Sequence, residues 1–441
     1  AERRAARLTP SAAIREAWRV GRRHMAGPEP ARGHEHLEDH RSRMGLLPEG
    51  GAWLVDILAQ SGLAGRGGGR FPTWRKWAAV ARHSERRPVV VVNASEGEPL
   101  SAKDRFLLTV RPHLVLDGAA LAAATLDAGD IVVYLSRGSR ATRQAVRSAV
   151  RERRRARLAE PPIRIVETEH RYIAGESSAV VQRISGGPAL PQFTPPHPSA
   201  QGVNNRPTLV QNTETLAHVA LIARFGSAWF RELGTESSPG SSLMTLSGNV
   251  THPCVYEVNP AAQLREVLEA AGGTTSMAGG ALLGGYFGTW LPAGVLDDLP
   301  LDAQLLRSEY GASFGCGVLA VLPKGGCGVV EASRILTYLA AETAGQCGPC
   351  VNGLADLSKT MARIAACQAQ PTDLDRIQRW AAMVRGRGAC HHPDGAVGQL
   401  ASALDVFADH VRIHIGGFRC PGQEAVGFPQ PPAPRRWWNF T

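Results

Sequence analysis

Between about residues 52 and 235, uniformly apolar runs alternate with segments of helical length. RPVVVVNA from Arg87 reads as a buried strand, HLVLDGAALAAATL from His113 as a helix and DIVVYLS from Asp130 as a strand. RATRQAVRSAV from Arg140 then reads as a helix and PIRIVETE from Pro162 as a strand. Strands spaced by helices of this length pair in parallel through crossovers, so the stretch predicts βαβ units and an α/β fold. Ligands of such sheets sit beyond the carboxyl ends of the strands. The acidic run NASEGEP, Asn93 to Pro99, falls at one of those ends.

The segment GLAGRGGGRFPTWRKW, Gly62 to Trp77, precedes the first of these strands. Its glycines leave backbone N–H groups uncovered, so the chain can approach a phosphate or a flat ring closely. Arg66, Arg70, Arg75 and Lys76 add the positive charge that a phosphate needs. Glycine-rich stretches are often linkers, but linkers rarely carry FPTW followed by KW. A packed loop is expected.

A chain of 441 residues exceeds the size at which one core keeps growing, and its texture divides into blocks. Residues 1–51 form a polar arm in which His34, His36 and His40 read as solvated rather than metal-binding. Residues 52–238 carry the βαβ pattern. Residues 239–328 change to short apolar runs broken by Gly and Pro around the helical AQLREVLEAAGG, which predicts a small α+β unit with a mostly antiparallel sheet. Residues 329–416 hold four stretches of helical periodicity and predict a four-helix bundle. Residues 417–441, with PQPPAPRR before Trp437 and Trp438, read as an extended tail.

The net charge of +10 comes mostly from arginine, much of it between Arg137 and Arg157. That run reads as the solvated face of a helix or a surface for an acidic protein partner; no nucleic-acid-binding signature accompanies it. No apolar run reaches the roughly 18 residues of a membrane span, and the first residues lack a signal-peptide core, so a cytoplasmic protein without direct membrane insertion is expected. The eight cysteines are too sparse for a disulfide scaffold. Cys347 and Cys350 form a CxxC between the first two predicted helices of the bundle, and Cys390 lies between the third and fourth. Antiparallel helices bring both junctions to one end, and three convergent thiolates point to zinc or an iron–sulfur cluster, against a background of inert buried cysteines.

In order along the chain, GLAGRGGGRFPTWRKW, NASEGEPLSAKDR, RYIAGESSAVV, PPHPSAQGVNNRPTLVQNTETL and ETAGQCGPC resemble segments of the flavoprotein subunit of respiratory NADH dehydrogenase, complex I, and of related hydrogenase and formate dehydrogenase diaphorase subunits. The resemblance spans roughly residues 55 to 415. It implies a Rossmann-like FMN domain, a ubiquitin-like β-grasp (SLBB) domain and a helical iron–sulfur domain. It also implies that Gly65, Arg66 and Gly67 line the FMN phosphate and that Lys76 sits over the flavin. Asn93, Glu96, Tyr172, Gly175, Glu176, Asn212 and Thr213 complete the pocket by the same resemblance, and Glu98 matches an acid near the nicotinamide. Cys347, Cys350 and Cys390 are the implied cluster ligands. Such a pocket makes chemical sense, because a flavin needs fixed donors and acceptors around its ring.

Departures from the family pattern concentrate on the nicotinamide side. Ala79, Thr194, His197 and Ser177 stand where aromatic, lysine and glutamate residues position NADH in the family, and only Phe71 survives of the stacking residues. Each lost base-stacking contact costs on the order of 1–3 kcal/mol, about ten- to hundredfold in affinity. The cluster motif departs too, with Ala344 in place of the first cysteine. A 4Fe-4S cluster then needs a replacement ligand, for which His391, His392, Cys367, Cys316 and a thiol of another subunit are candidates, and a 3Fe-4S cluster is the simplest alternative.

The resemblance, taken with these departures, implies an FMN and iron–sulfur oxidoreductase subunit that exchanges electrons with a ferredoxin-like or other iron–sulfur protein within a larger complex, its NAD(H) site degraded. A genuine NADH dehydrogenase or diaphorase subunit and a non-catalytic structural subunit are the rival readings. No G-x-S-x-G, H-E-x-x-H or Walker motif points to a hydrolase.

Overall fold

The computed structural model describes residues 23–26, 34–83, 85–193, 195–420, 422 and 428. Three helices, α1 (Leu37–Met44), α2 (Trp53–Ser61) and α3 (Thr73–Ala81), lead into strand β1 (Val89–Ala94). Helices α4 (Lys103–Val110) and α5 (Pro112–Thr125) connect it to β2 (Asp130–Ser136). Next come α6 (Arg140–Arg155), β3 (Ile163–Thr168), α7 (Ser177–Ile184), β4 (Thr208–Asn212) and α8 (Thr213–Arg231). The four strands form one parallel sheet in the order β3-β2-β1-β4. The valines of β1 show why the run is uniformly apolar: Val90 and Val92 join the main core, while Val89 and Val91 face a second cluster under α7. Each such buried aliphatic side chain contributes roughly 1.5–3 kcal/mol. Helix α5 is buried almost all round and touches α8 at Gly118, where a Cβ would lie 1.9 Å from the Leu216 carbonyl oxygen.

The second unit holds β5 (Ser242–Gly248), β6 (Val255–Val258), α9 (Leu264–Ala270), β7 (Ala278–Leu283), β8 (Thr289–Leu291), α10 (Ala303–Tyr310) and β9 (Val318–Pro323). Its sheet runs β6-β5-β9-β7-β8, with β5 and β9 parallel and the other pairs antiparallel. The two-residue period of a strand makes this sheet a common wall. Leu319 and Val321 of β9 face the core shared with the parallel sheet, while Val318, Ala320 and Leu322 face the helical unit.

The third unit runs through α11 (Gly328–Ala341), a π-helical turn (Pro349–Leu354), α12 (Ala355–Ala365), α13 (Asp373–Val384), α14 (His392–Val406) and α15 (Ala408–Ile415). The last expected helix is two: the chain breaks at Phe407, whose ring packs on Trp290 at 5.0 Å instead of continuing α14. The mixed α/β fold expected from the sequence is the observed one.

The described part of the polar arm is packed, not solvated. Arg23, His24 and Met25 donate backbone N–H bonds to the buried carboxylate of Glu257. The His40 imidazole bridges Glu35 at 3.1 Å and Asp117 at 2.8 Å. Arg111 and Arg43 complete the Glu35 cluster, and Arg153 and Arg224 pair with Asp117. Distant carboxylates therefore hold residues 34–44 against the parallel-sheet unit, and Arg153 of the basic run is buried among them rather than solvated. Cys420 and Phe428 of the expected tail are also buried, Phe428 stacking on Trp290 at 5.4 Å. Trp437, Trp438 and Thr194 lie outside the described residues. No single helix among the described residues is long and apolar enough to cross a membrane; α4 and α5 satisfy that test only together, bent by 96°.

Candidate functional site

A cavity of about 600 Å³ opens where the three units meet. It lies beyond the carboxyl ends of β1 and β4, where a parallel sheet binds its ligands. Gly67, Gly68 and Gly69 form one side with bare backbone, and Asn93, Glu96 and Glu98 come from the loop after β1. Tyr172, Gly175 and Glu176 come from the turn before α7, and Asn212 from the end of β4.

Three of these side chains also start helices. Asn212 Oδ1 accepts the Glu214 and Thr215 N–H groups at 3.0 and 3.3 Å and caps α8. Glu176 Oε2 accepts the Ser178 and Ala179 N–H groups at 2.8 and 3.2 Å and caps α7. Glu96 accepts the Asp104 and Arg105 N–H groups of the first turn of α4 at 2.9 and 3.1 Å. Carboxylates already meet the N-termini of α4 and α7, so only that of α8, capped by the neutral Asn212 amide, is left with positive dipole charge to favour an anionic ligand.

Glu98 is a buried carboxyl on the wall. Its carboxylate accepts the Tyr286 N–H at 2.8 Å, the Leu100 N–H at 3.1 Å and the Tyr172 hydroxyl at 3.2 Å. Burial outweighs those donors and pushes its pKa up to about 7, so it exchanges a proton near neutrality. Space around it is kept by Gly285, at φ +88°, where a Cβ would lie 2.6 Å from Glu98 Oε2. The Tyr172 hydroxyl is held well above its ordinary value by burial and by Glu98.

Other expected residues stand behind the wall. The Lys76 ammonium donates to the Val210 carbonyl at 2.7 Å, its pKa lowered by burial against the pull of Glu176. Thr213 donates to the Asn93 carbonyl at 3.2 Å. Gly65 lines a separate small space beneath the loop. Arg66 turns its guanidinium toward the Pro239 and Ser241 carbonyls, leaving Nε and Nη1 buried without partners. Burial and the nearby Arg70 charge lower it to about 10.

The sequence reading missed Lys103 and Asp104, which lie on the wall inside the quoted NASEGEPLSAKDR. Lys103 pairs with Asp104 at 2.8 Å and Glu214 at 2.9 Å, and Asp104 accepts the Asn212 amide at 2.7 Å. Charge shortly after the acidic run, within a quoted motif, was the available signal. Gly284 and Phe287, contributed by the second sheet, carried none.

Cys390, His391 and His392 line the same cavity. Burial pushes the Cys350 thiol up, and Cys347 and Cys390 add to it while the Ala344 N–H points at its sulfur. Cys347 and Cys390 thus both act on Cys350, with Ala344 beside it. Three soft donors fit an iron–sulfur cluster. Among the candidate fourth ligands, His392 donates from Nε2 to the Leu339 carbonyl at 2.8 Å and leaves Nδ1 buried without a partner. His391 is fully exposed, Cys316 donates to the Gly284 carbonyl at 3.3 Å, and Cys367 lies beside His414.

On the expected dinucleotide side, Phe71 is 55% exposed and His197 is exposed. Neither lines the cavity.

Residues 58–221 match the model of the Nuo51 FMN-binding domain, and residues 331–414 match the iron–sulfur binding region of NADH-ubiquinone oxidoreductase-F. The F subunit of NADH-quinone oxidoreductase in Streptomyces coelicolor is 31% identical over 407 residues, covering 88% of this chain and 88% of the relative. The F 2 subunit of NADH-quinone oxidoreductase in Rhizobium meliloti is 33% identical over 392 residues, covering 83% and 90%. Among solved structures, an NAD+-reducing [NiFe]-hydrogenase in the H2-reduced state superposes with a TM-score of 0.77 at 30% identity over 83% of this chain. The chain spans 62% of that hydrogenase chain.

Proposed function

From the premise that this chain belongs to the family of NADH-quinone oxidoreductase F subunits, whose members bind FMN and an iron–sulfur cluster, we propose that it exchanges electrons with a ferredoxin-like iron–sulfur partner and uses NADH poorly. FMN, when bound, supplies the exchange between two-electron and one-electron carriers. The chain supplies position, charge and a proton. Gly67 to Gly69 and the N-terminus of α8 would hold the phosphate, while Asn93, Glu96, Gly175, Glu176 and Asn212 would fix the ring system. Lys76, Arg66, Gly65 and Thr213 would support that wall from behind. Glu98, with Tyr172, would hold and release a proton beside the reacting face. Cys347, Cys350 and Cys390 would hold the cluster. The units fall near residues 52–238, 239–328 and 329–416, and the chain would act as a cytoplasmic subunit of a larger oxidoreductase complex.

The observation that carries this reading is the shared wall: Cys390 faces the same cavity as Gly67, Asn93 and Glu98. Poor NADH use rests on Ala79, His197 and Ser177 at the positions that the resemblance assigns to dinucleotide contacts. The rival, NADH as the working donor, is favoured by the exposed Phe71 ring and by the relatives named as NADH-quinone oxidoreductase components.

Purified, flavin-loaded protein separates the two. The flavin band should bleach quickly with a reduced ferredoxin and at least tenfold more slowly with NADH. Equally fast bleaching by micromolar NADH would establish the rival, and a chain that takes up no flavin would defeat both.

A further inference from the structure

The helical unit holds a second group of soft ligands, away from the cavity. Cys327 lies at the N-cap of α11, His414 in the last turn of α15, and Cys420 in the segment beyond it. Relative exposures of 1%, 0% and 4% show that all three are sealed from solvent. One ligand atom from each lies within 4.8 Å of the other two. Cys327 Sγ stands 3.5 Å from His414 Nε2. A tetrahedral zinc ion with Zn–S of about 2.3 Å and Zn–N of about 2.0–2.1 Å spans an S···N edge of about 3.5 Å, so the spacing already matches.

The other ring nitrogen fixes the tautomer. His414 Nδ1 lies 3.1 Å from the Ile364 carbonyl and 3.2 Å from that of Ala365. Carbonyls only accept, so Nδ1 carries the proton and the Nε2 lone pair faces the thiols. Inert buried cysteines need no such arrangement. Cys367 Sγ sits 3.5 Å from Nδ1, behind the imidazole and outside the ligand set.

We propose that Cys327, His414 and Cys420 bind a zinc ion, separate from the thiols on the cavity wall. Two thiolates and an imidazole suit zinc; magnesium and calcium take oxygen ligands. One tetrahedral position is left for water. The ion would join the start of α11 to the end of α15 across 87 residues and pin the chain beyond α15 to both. It would thereby brace the helix that leads to the Cys347–Cys350 loop. Zinc binding here does not depend on the proposed electron-transfer role.

Metal analysis of the full chain tests it. About one zinc per chain is expected, with Cys327→Ser and His414→Gln each lowering zinc at least tenfold while iron is retained. Cys347→Ser should do the reverse. Chelator-stripped wild type given Co2+ alone should show tetrahedral d–d bands and a thiolate-to-cobalt charge-transfer band, a readout that survives if the variants fail to fold. Wild type that takes up neither zinc nor cobalt, or full zinc in both variants, would overturn the proposal.

Discussion

Two groups of cysteines within one helical unit differ in surroundings more than in chemistry. Cys347, Cys350 and Cys390 sit at helix junctions, only Cys350 of them buried, and Cys390 opens onto the large cavity. Cys327 and Cys420 are sealed around a buried imidazole. A centre that passes electrons must lie near its donor and within reach of a partner, whereas an ion that only joins segments needs neither. Position relative to the cavity, not the number of thiols, separates the two proposed roles.

Four predictions act on that contrast. The largest effect belongs to Cys350→Ser, which should abolish bound iron in anaerobically purified protein while flavin stays near one per chain; iron retained in full would erase the distinction between the groups. Next, Ala344→Cys restores a thiol beside Cys350 and should convert the paramagnetic signal of a three-iron cluster, seen in the oxidised protein, into that of a reduced four-iron cluster. An unchanged spectrum would mean that a native residue already fills the fourth position, and His392→Ala would then be the variant that loses it.

Glu98 gives the third, on the cavity side. Its folded pKa of about 7 lies above its ordinary value, so its contribution to stability is full below about pH 4.5 and is lost as pH rises through about 7. That change amounts to about 3 kcal/mol. Denaturant titrations from pH 5 to 8 should show a decline in the wild type that Glu98→Gln flattens. The smallest effect is expected from His391→Ala: the imidazole is solvent-exposed, so iron content and stability should stay within error of the wild type.

The legible parts of the molecule were those with local, periodic signals. The VVVV of β1, the GLAGRGGGR loop and the CxxC each carry their information within a few residues, and the α/β fold and the CxxC's place at a helix junction followed from them. What escaped was assembled across the chain. Nothing near His40 announces Asp117, and nothing near Cys327 announces His414 or Cys420. The break at Phe407 escaped for the same reason, because Trp290, the ring that receives it, comes from another unit. Arg66 was foreseen as part of the loop, but its turn toward Pro239 and Ser241 depends on the neighbouring unit.

The helix-capping roles of Glu96, Glu176 and Asn212 bear on how such a pocket can change over evolutionary time. Losing a cap costs about 1 kcal/mol whatever happens to the ligand. A ligand held by the same three side chains, as proposed, would make mutations there costly twice over. Ala79 and His197, which the resemblance assigns to the dinucleotide side, cap no helix, so substitution there carries no such cost.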